Sequence, residues 1–338
     1  MRNLLQKFMT PDKIFAAEIR DLLEVDGIDS DLALAIKNYR RSDQVNKKLL
    51  IGERLNIKTV SFLDADYPKN LMTINDFPPV LFVRGEFTPA DSKAIAVIGT
   101  RSATNYGKQI AEKFAYELAN CGITIVSGLA RGIDTIAHEA ALKAKGRTIG
   151  VLGCGIDIYY PPENRKLYAD IAESGAVVTE FNFGTPPWAY NFPKRNRLIS
   201  GLSLAVLAIE ARKSSGVLNT VQWAVNQGRE VYVVPGDIRA KTCEGTNQLI
   251  KEGAKPVTSV EDILADLEIA KKQKQKPVPE ISETEKQLLE VIETEPLHID
   301  KIAELTNMEI TSLLTILLEL EIKGLVKQLP GKRFLKNF

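Results

Sequence analysis

An α/β protein is predicted, with a Rossmann-like, doubly wound and mostly parallel sheet preceded by a small helical N-terminal domain and followed by a C-terminal winged-helix-like domain. Three observations predict it. Six short aliphatic runs alternate with amphipathic stretches between about Ala94 and Leu267, a purely helical periodicity precedes them, and three helical patterns ending in a ribbon follow a charged, proline-containing segment. At 338 residues the chain is too long for one ordinary domain. An apolar fraction of 44% suffices for proper cores. The expected boundaries are 1–70 for the helical domain, 71–268 for the Rossmann-like domain, 269–282 for a linker and 283–338 for the winged-helix-like domain.

From Ile14 to about Leu55 apolar residues recur at three and four positions, and Asp26-Gly27 and Asp29-Ser30 read as a turn and a cap. The stretch LEVDGIDSDLALAI, Leu23 to Ile36, has the pattern of a SAM-like or helix-hairpin-helix unit of the kind that some proteins press against a nucleic-acid backbone. Plain helical packing is the simpler account. The runs AIAVIG, ITIVSG, TIGVLG, AVVTEF, LAVLAIE and EVYVVPG are aliphatic without alternation, as strands covered on both faces must be. A ligand of such a sheet belongs at the carboxyl ends of its strands. KKQKQKPVPE, Lys271 to Glu280, reads as a linker. Beyond it, Thr284 to Ile292, His298 to Leu305 and Ile310 to Ile322 are helical patterns, and GLVKQLPGKRFLKNF is a two-stranded ribbon turning at Pro330-Gly331, which together describe a winged helix.

Charge limits what these domains do. Lysine and arginine number 44 against 43 aspartates and glutamates, so the net charge of +1 gives no global attraction for polyanions and any anion site must be local. From Glu283 to Phe338 the balance is negative, which opposes phosphate binding. The helix within MEITSLLTILLELEIKG offers glutamate and leucine where a groove reader needs arginine, asparagine or glutamine, so this domain is expected to contact protein or to pack. Cys121, Cys154 and Cys243 are isolated and the histidines are His138 and His298, so no metal site and no disulfide framework is expected, and the protein reads as reduced and cytoplasmic. No stretch approaches ~20 apolar residues and Met1 to Thr10 lacks a signal-peptide core, so neither membrane nor secretion is expected.

Four strand-end loops concentrate glycine, small polar residues and arginine. In IAVIGTRSATNYG, Gly99 and Thr100 would bring backbone amides to an anion, with Arg101 directed toward it; a tight loop with a solvated arginine is the plain alternative. In VSGLARGIDTIAHEAAL, Gly128 and Gly132 free the backbone, Arg131 adds charge, Asp134 reads as a helix cap, and His138 as a packed residue. In FPKRNRLISG, Pro193 would start a helix whose first turns carry Lys194, Arg195 and Arg197. Each cation there costs a few tenths to ~1 kcal/mol against the helix dipole, which points to an anionic ligand. Phe192 beside them suits a base, a contact of about 1–3 kcal/mol. The fourth loop pair places Glu210, Arg212, Lys213, Ser214, Ser215, Gly216, Gly236, Gly245 and Thr246 on adjacent edges. Neither GxGxxG after the first strand nor GxxxxGK[ST] occurs, so no nucleotide cofactor is expected.

IGTR, SGLARGID, LGCGIDIYYPPEN, FPKRNRLISGLS, QGREVYVVPGD and GTNQLIKEGA, with the lead-in DYPKNLMTINDFPPVLFVRG, are similar to the motifs of the DNA-processing protein A (DprA, or Smf) family over about Tyr67 to Ile263. The resemblance implies single-stranded DNA binding without catalysis, loading of the RecA recombinase during natural transformation, and a homodimer formed through the Rossmann-like domain. Carried over, Arg101, Gly128, Arg131, Phe192, Lys194, Arg195 and Arg197 line the DNA pocket, and Gly99, Thr100, Ser127, Asn196, Ser215, Gly216, Gly245 and Thr246 complete the expected contacts. Where the family has an SGSL-like turn, this chain has Ser215-Gly216-Val217-Leu218, and the valine removes a hydroxyl.

Two rivals share the fold class. A phosphoribohydrolase would need PGGxGTxxE, but Pro235-Gly236-Asp237 and Gly245-Thr246 are separated and Leu249 stands where the glutamate belongs, so the acid–base group is missing. A nucleotide sensor would use Glu180 or Glu210 on a ribose hydroxyl; the competing reading pairs these carboxylates with Arg195 or Arg197.

Overall fold

Nine strands make one sheet in the order β1-β2-β6-β5-β4-β3-β7-β8-β9. They are β1 (Ile57–Ser61), β2 (Val80–Gly85), β3 (Ala94–Ile98), β4 (Thr124–Ser127), β5 (Thr148–Val151), β6 (Ala176–Thr179), β7 (Ala205–Ala208), β8 (Glu230–Val233) and β9 (Lys255–Pro256). From β6 through β3 to β9 every pairing is parallel, whereas β1 pairs with β2 and β2 with β6 antiparallel. This computed structural model describes residues 2–39, 43–269, 282–292, 296–306, 308–323, 325–329 and 331–336. Most of the expected linker and Pro330 of the expected turn lie outside them.

All six aliphatic runs are strands. Alternate residues serve the two faces: Ala94, Ala96 and Ile98 of β3 enter one core, Ile95 and Val97 the other. Five helices precede the sheet: α1 (Arg2–Phe8), α2 (Pro11–Ala16), α3 (Ile19–Leu23), α4 (Ser30–Lys37) and α5 (Asp43–Arg54). Leu4, Ile14, Leu22, Val25 and Ala33 give the first four a core of their own. Asp29 caps α4 by accepting the Leu32 N–H at 2.8 Å, as its sequence position suggests. Because β1 already pairs into the large sheet, the sheet region begins ahead of the expected boundary at residue 70.

The covering helices are α6 (Lys69–Met72), α7 (Asn105–Asn120), α8 (Ile133–Lys143), α9 (Arg165–Ser174), α10 (Asn191–Gly201), α11 (Gly216–Asn226), α12 (Glu244–Lys251) and α13 (Val260–Asp266). Phe114 and Leu118 of α7 and Ala137 of α8 pack one face; Leu198 of α10 and Val221 of α11 pack the other. After β3 the chain winds toward β4, β5 and β6 on one side and later returns through β7 and β8 on the other. The switch point therefore lies between β3 and β7, where an open α/β sheet leaves a crevice beyond its carboxyl edge.

The chain divides into two compact units, Met1–Lys272 and Gln273–Phe338. The second contains α14 (Glu283–Val291), β10 (Leu297–His298), α15 (Ile299–Thr306), α16 (Ile310–Ile322), β11 (Val326–Leu329) and β12 (Arg333–Lys336). It is a winged helix, with β10 adding a third strand to the expected ribbon in the order β10-β12-β11. Leu288, Ile302, Leu313, Leu317 and Phe334 are among its buried core. Among the described residues no helix is long and apolar enough to cross a membrane, and no group of three His, Cys, Asp or Glu is placed to hold a metal.

Candidate functional site

A cleft of about 500 Å³ opens at the carboxyl ends of β3, β4 and β7. Gly99, Thr100 and Arg101 after β3, Ala130 and Asp134 after β4, and Arg212 and Ser214 to Val217 after β7 contribute to its lining, and Phe192, Arg195 and Asn196 of α10 supply another wall. Arg131 and Gly128 join Arg101 and Phe192 around a small adjoining recess.

Phe192 is the centre of the site. Its half-buried ring has the Arg101 guanidinium 5.5 Å and the Arg195 guanidinium 5.8 Å from its centroid, with the Tyr160 ring at 5.5 Å. The two arginines differ in kind. Arg101 is exposed. Arg195 is 4% exposed and donates to the carbonyls of Gly128, at 2.8 Å, and Val151, so it ties the ends of β4 and β5 to α10. Burial pushes its pKa down and that of neighbouring Asp134 up, each opposed by the other's charge. The expectation that Arg195 is an exposed cation is corrected: its Nη1 is spent on two backbone carbonyls and its Nε on the Asn196 side chain.

Four amides of the first two loops are likewise occupied, those of Thr100, Thr104, Gly128 and Ala130. Glu210 accepts from Thr104 N–H at 3.0 Å and from its hydroxyl, and the Thr100 N–H is held by the Glu210 carbonyl at 2.8 Å. Asp134 accepts from Gly128 N–H at 3.1 Å and Ala130 N–H at 3.4 Å. Asp134 is therefore no helix cap; Gly132 holds that position and the carboxylate clasps the preceding loop. Two internal carboxylates stand where anions were expected. The glycines serve close packing: a Cβ on Gly128 would lie 2.7 Å from Arg195 and one on Gly99 2.4 Å from Ile133.

Helix α10 begins at Asn191, so Pro193 falls inside the first turn and Lys194 just beyond it. Lys194 is exposed, 5.4 Å from the Tyr190 ring centroid and outside the cleft lining. Arg197 bonds Glu180 and lies 3.3 Å from Asp76, so it is a structural cation. That confirms the pairing reading for Glu180 and corrects it for Glu210, whose partner is Thr104. Ser127 is spent on the Val97 carbonyl at 2.7 Å, Thr246 on that of Cys243 at 3.0 Å, and Gly245 N–H on that of Ala211 at 2.7 Å; none of the three lines the cleft. Ser215 caps α11 through the Val217 N–H at 3.2 Å, and Gly216 opens that helix at the cleft wall. His138 is fully buried, as expected, with Nδ1 2.6 Å from the Thr148 hydroxyl. Tyr160, Trp188 and Tyr190 are site rings that the sequence reading misses, although YYPPEN follows a strand and PPWAY precedes the cationic helix; Tyr160 is half-buried, Trp188 and Tyr190 exposed.

The fold and cleft define a doubly wound α/β protein that presents cations and an aromatic ring at its topological switch point. The sequence profile of DNA recombination-mediator protein A matches residues 58–268, and that of the DprA winged helix domain matches residues 272–332. The chain belongs to the DNA recombination-mediator protein A (DprA/Smf) family. It is 38% identical to the DNA processing protein DprA of Streptococcus pneumoniae over 73% of this chain and 86% of that protein. It is 35% identical to protein Smf of Synechocystis over 99% of this chain and 94% of that one. The X-ray structure of the Streptococcus pneumoniae protein superposes with a TM-score of 0.70 at 34% identity, covering 78% of this chain and 91% of that one. A DNA processing protein A from Helicobacter pylori, described for its single-stranded DNA binding mode, superposes with a TM-score of 0.57 at 31% identity, covering 63% of this chain and 96% of that one.

Proposed function

We propose that this protein binds single-stranded DNA in the switch-point cleft and, without catalysing a reaction, delivers it to the RecA recombinase in the cytoplasm, working as a homodimer assembled through the Rossmann-like domain. The observation that carries the binding reading is Phe192 beneath the exposed Arg101 in a cleft whose opposite wall bears Arg212 and the start of α11. A cation on a ring offers one face to a phosphate or a base plane, and helix N–H groups favour anions. The single-stranded DNA binding mode described for the Helicobacter pylori relative supports the same ligand.

Support for a non-catalytic role comes from the carboxylates. Asp134, Glu180 and Glu210 are each engaged by backbone N–H groups, a threonine or an arginine, so each is committed to a structural contact. Recombinase loading and dimerisation rest on family membership. The deciding experiment is fluorescence anisotropy of labelled oligo-dT and matched duplex over a salt series, with a mononucleotide as competitor. Preference for the single strand, with log K falling by about 0.7 per phosphate contact against log salt, is expected. Full competition by the mononucleotide would replace this reading with a nucleotide sensor.

A further inference from the structure

Trp188 and Tyr190 are stacked on one another, ring centroids 5.6 Å apart and planes 21° from parallel, yet they remain 49% and 55% exposed. Exposed apolar residues are ordinary when scattered, but a paired aromatic face left in water is not. The pair is fixed in place. Trp188 N–H donates to the Pro186 carbonyl at 2.8 Å and Asn191 N–H to the Trp188 carbonyl at 3.0 Å, while the Asn191 side chain is buried at 2% exposure.

Position gives the pair its meaning. Pro187 and Ala189 line the cleft, and Trp188 and Tyr190, which alternate with them in the sequence, lie just outside its lining. Lys194, one turn into α10 and outside the cleft, holds its ammonium 5.4 Å from the Tyr190 ring centroid. Rings that accept a base and a cation that accepts the adjoining phosphate therefore continue the cleft's own chemistry beyond its rim. We propose that Trp188 and Tyr190, with Lys194, form a second stacking platform that takes an unpaired nucleobase of the strand as it leaves the cleft. The proposal rests on the single-strand reading of the cleft. It assigns Lys194 to the exit path, which explains why that residue points away from the pocket where the sequence placed it.

Two tryptophans occur in the chain, and the other, Trp223, has a buried indole N–H without a hydrogen-bond partner, so Trp223→Phe is a benign background. In that background Trp188 is the sole tryptophan reporter. Its emission should be quenched by a long oligo-dT and not by one of about 4–6 nucleotides, near the lower limit of single-strand site sizes. Trp188→Ala with Tyr190→Ala should weaken the long oligonucleotide about tenfold or more while leaving the short one unchanged, and Trp188→Phe should restore most of the loss. If the long strand binds by anisotropy but leaves both Trp188 emission and the double-variant affinity unchanged, the platform is refuted and the cleft reading survives. If neither strand binds, both fall.

Discussion

Arg101 and Arg195 flank one phenylalanine from opposite surroundings, and single substitutions should separate their roles. Arg101→Ala removes an exposed cation, so single-strand affinity should drop several-fold with the urea midpoint nearly unchanged. Arg195→Ala strips the Gly128 and Val151 carbonyls of a donor and leaves Asp134 buried without its nearest cation, so it should cost about 3–5 kcal/mol in denaturant unfolding. The sequence displays both as motif arginines and does not distinguish them, because burial of a cation depends on which carbonyls the sheet ends present. His138 gives the pH signature. Burial lowers its pKa from 6.5 to about 3, so the folded state stays neutral while the unfolded chain takes up a proton. Its contribution is intact above pH 6.5 and is lost between pH 6.5 and about 3, at ~1.4 kcal/mol per pH unit. His138→Gln should flatten the stability slope in that window by about that amount; an unchanged slope would show that the imidazole is hydrated.

Elements with one dominant signal were legible. The fully buried parallel strands read as unbroken aliphatic runs, and α7, α8 and α11 as the amphipathic stretches between them. β1 and β2 were not read, because an antiparallel edge is buried on one side only and its residues mix: Val83 is buried beside half-exposed Phe82 and Arg84. The start of α10 was placed at Pro193 by its fixed φ, but the turn closed by the Asn191 N–H to the Trp188 carbonyl starts the helix two residues sooner. Glycines, small polar residues and arginines give the strand-end loops the pattern of phosphate cradles, but Asp134, from within the same motif, and Glu210, from distant sequence, occupy them instead. Glu210 shows how such a clasp holds elements together, since it joins the end of β7 to the Thr104 cap of α7. Glu210→Ala should leave the Thr104 N–H without its acceptor and cost about 1–3 kcal/mol, with weaker DNA binding as the Arg101 loop loosens. A variant of wild-type stability by urea titration would show that solvent replaces the carboxylate.

At the scale of the whole molecule the changes of hydrophobic period predict three parts, the structure forms two compact units with the N-terminal helices inside the first, and what the sequence adds beyond the fold is where charge is withheld. The winged helix has its own core in Leu288, Ile302, Leu313 and Phe334, separate from the cores on the two faces of the large sheet. From Glu283 to Phe338 it carries seven basic against ten acidic residues. A domain of that sign contributes repulsion, not counterion release, to any phosphate nearby. A chain ending at Lys272 should therefore unfold in its own cooperative transition and bind oligo-dT at least as tightly as the full chain, with the same slope of log K against log salt. The proposed recombinase loading is what should suffer, because the helix that would read a DNA groove exposes Ile310, Leu314 and Leu318 and carries no arginine, asparagine or glutamine. A truncated protein with a shallower salt slope and a tenfold weaker Kd would instead mean that the basic residues of β11 and β12 supply phosphate contacts in spite of the domain's net charge.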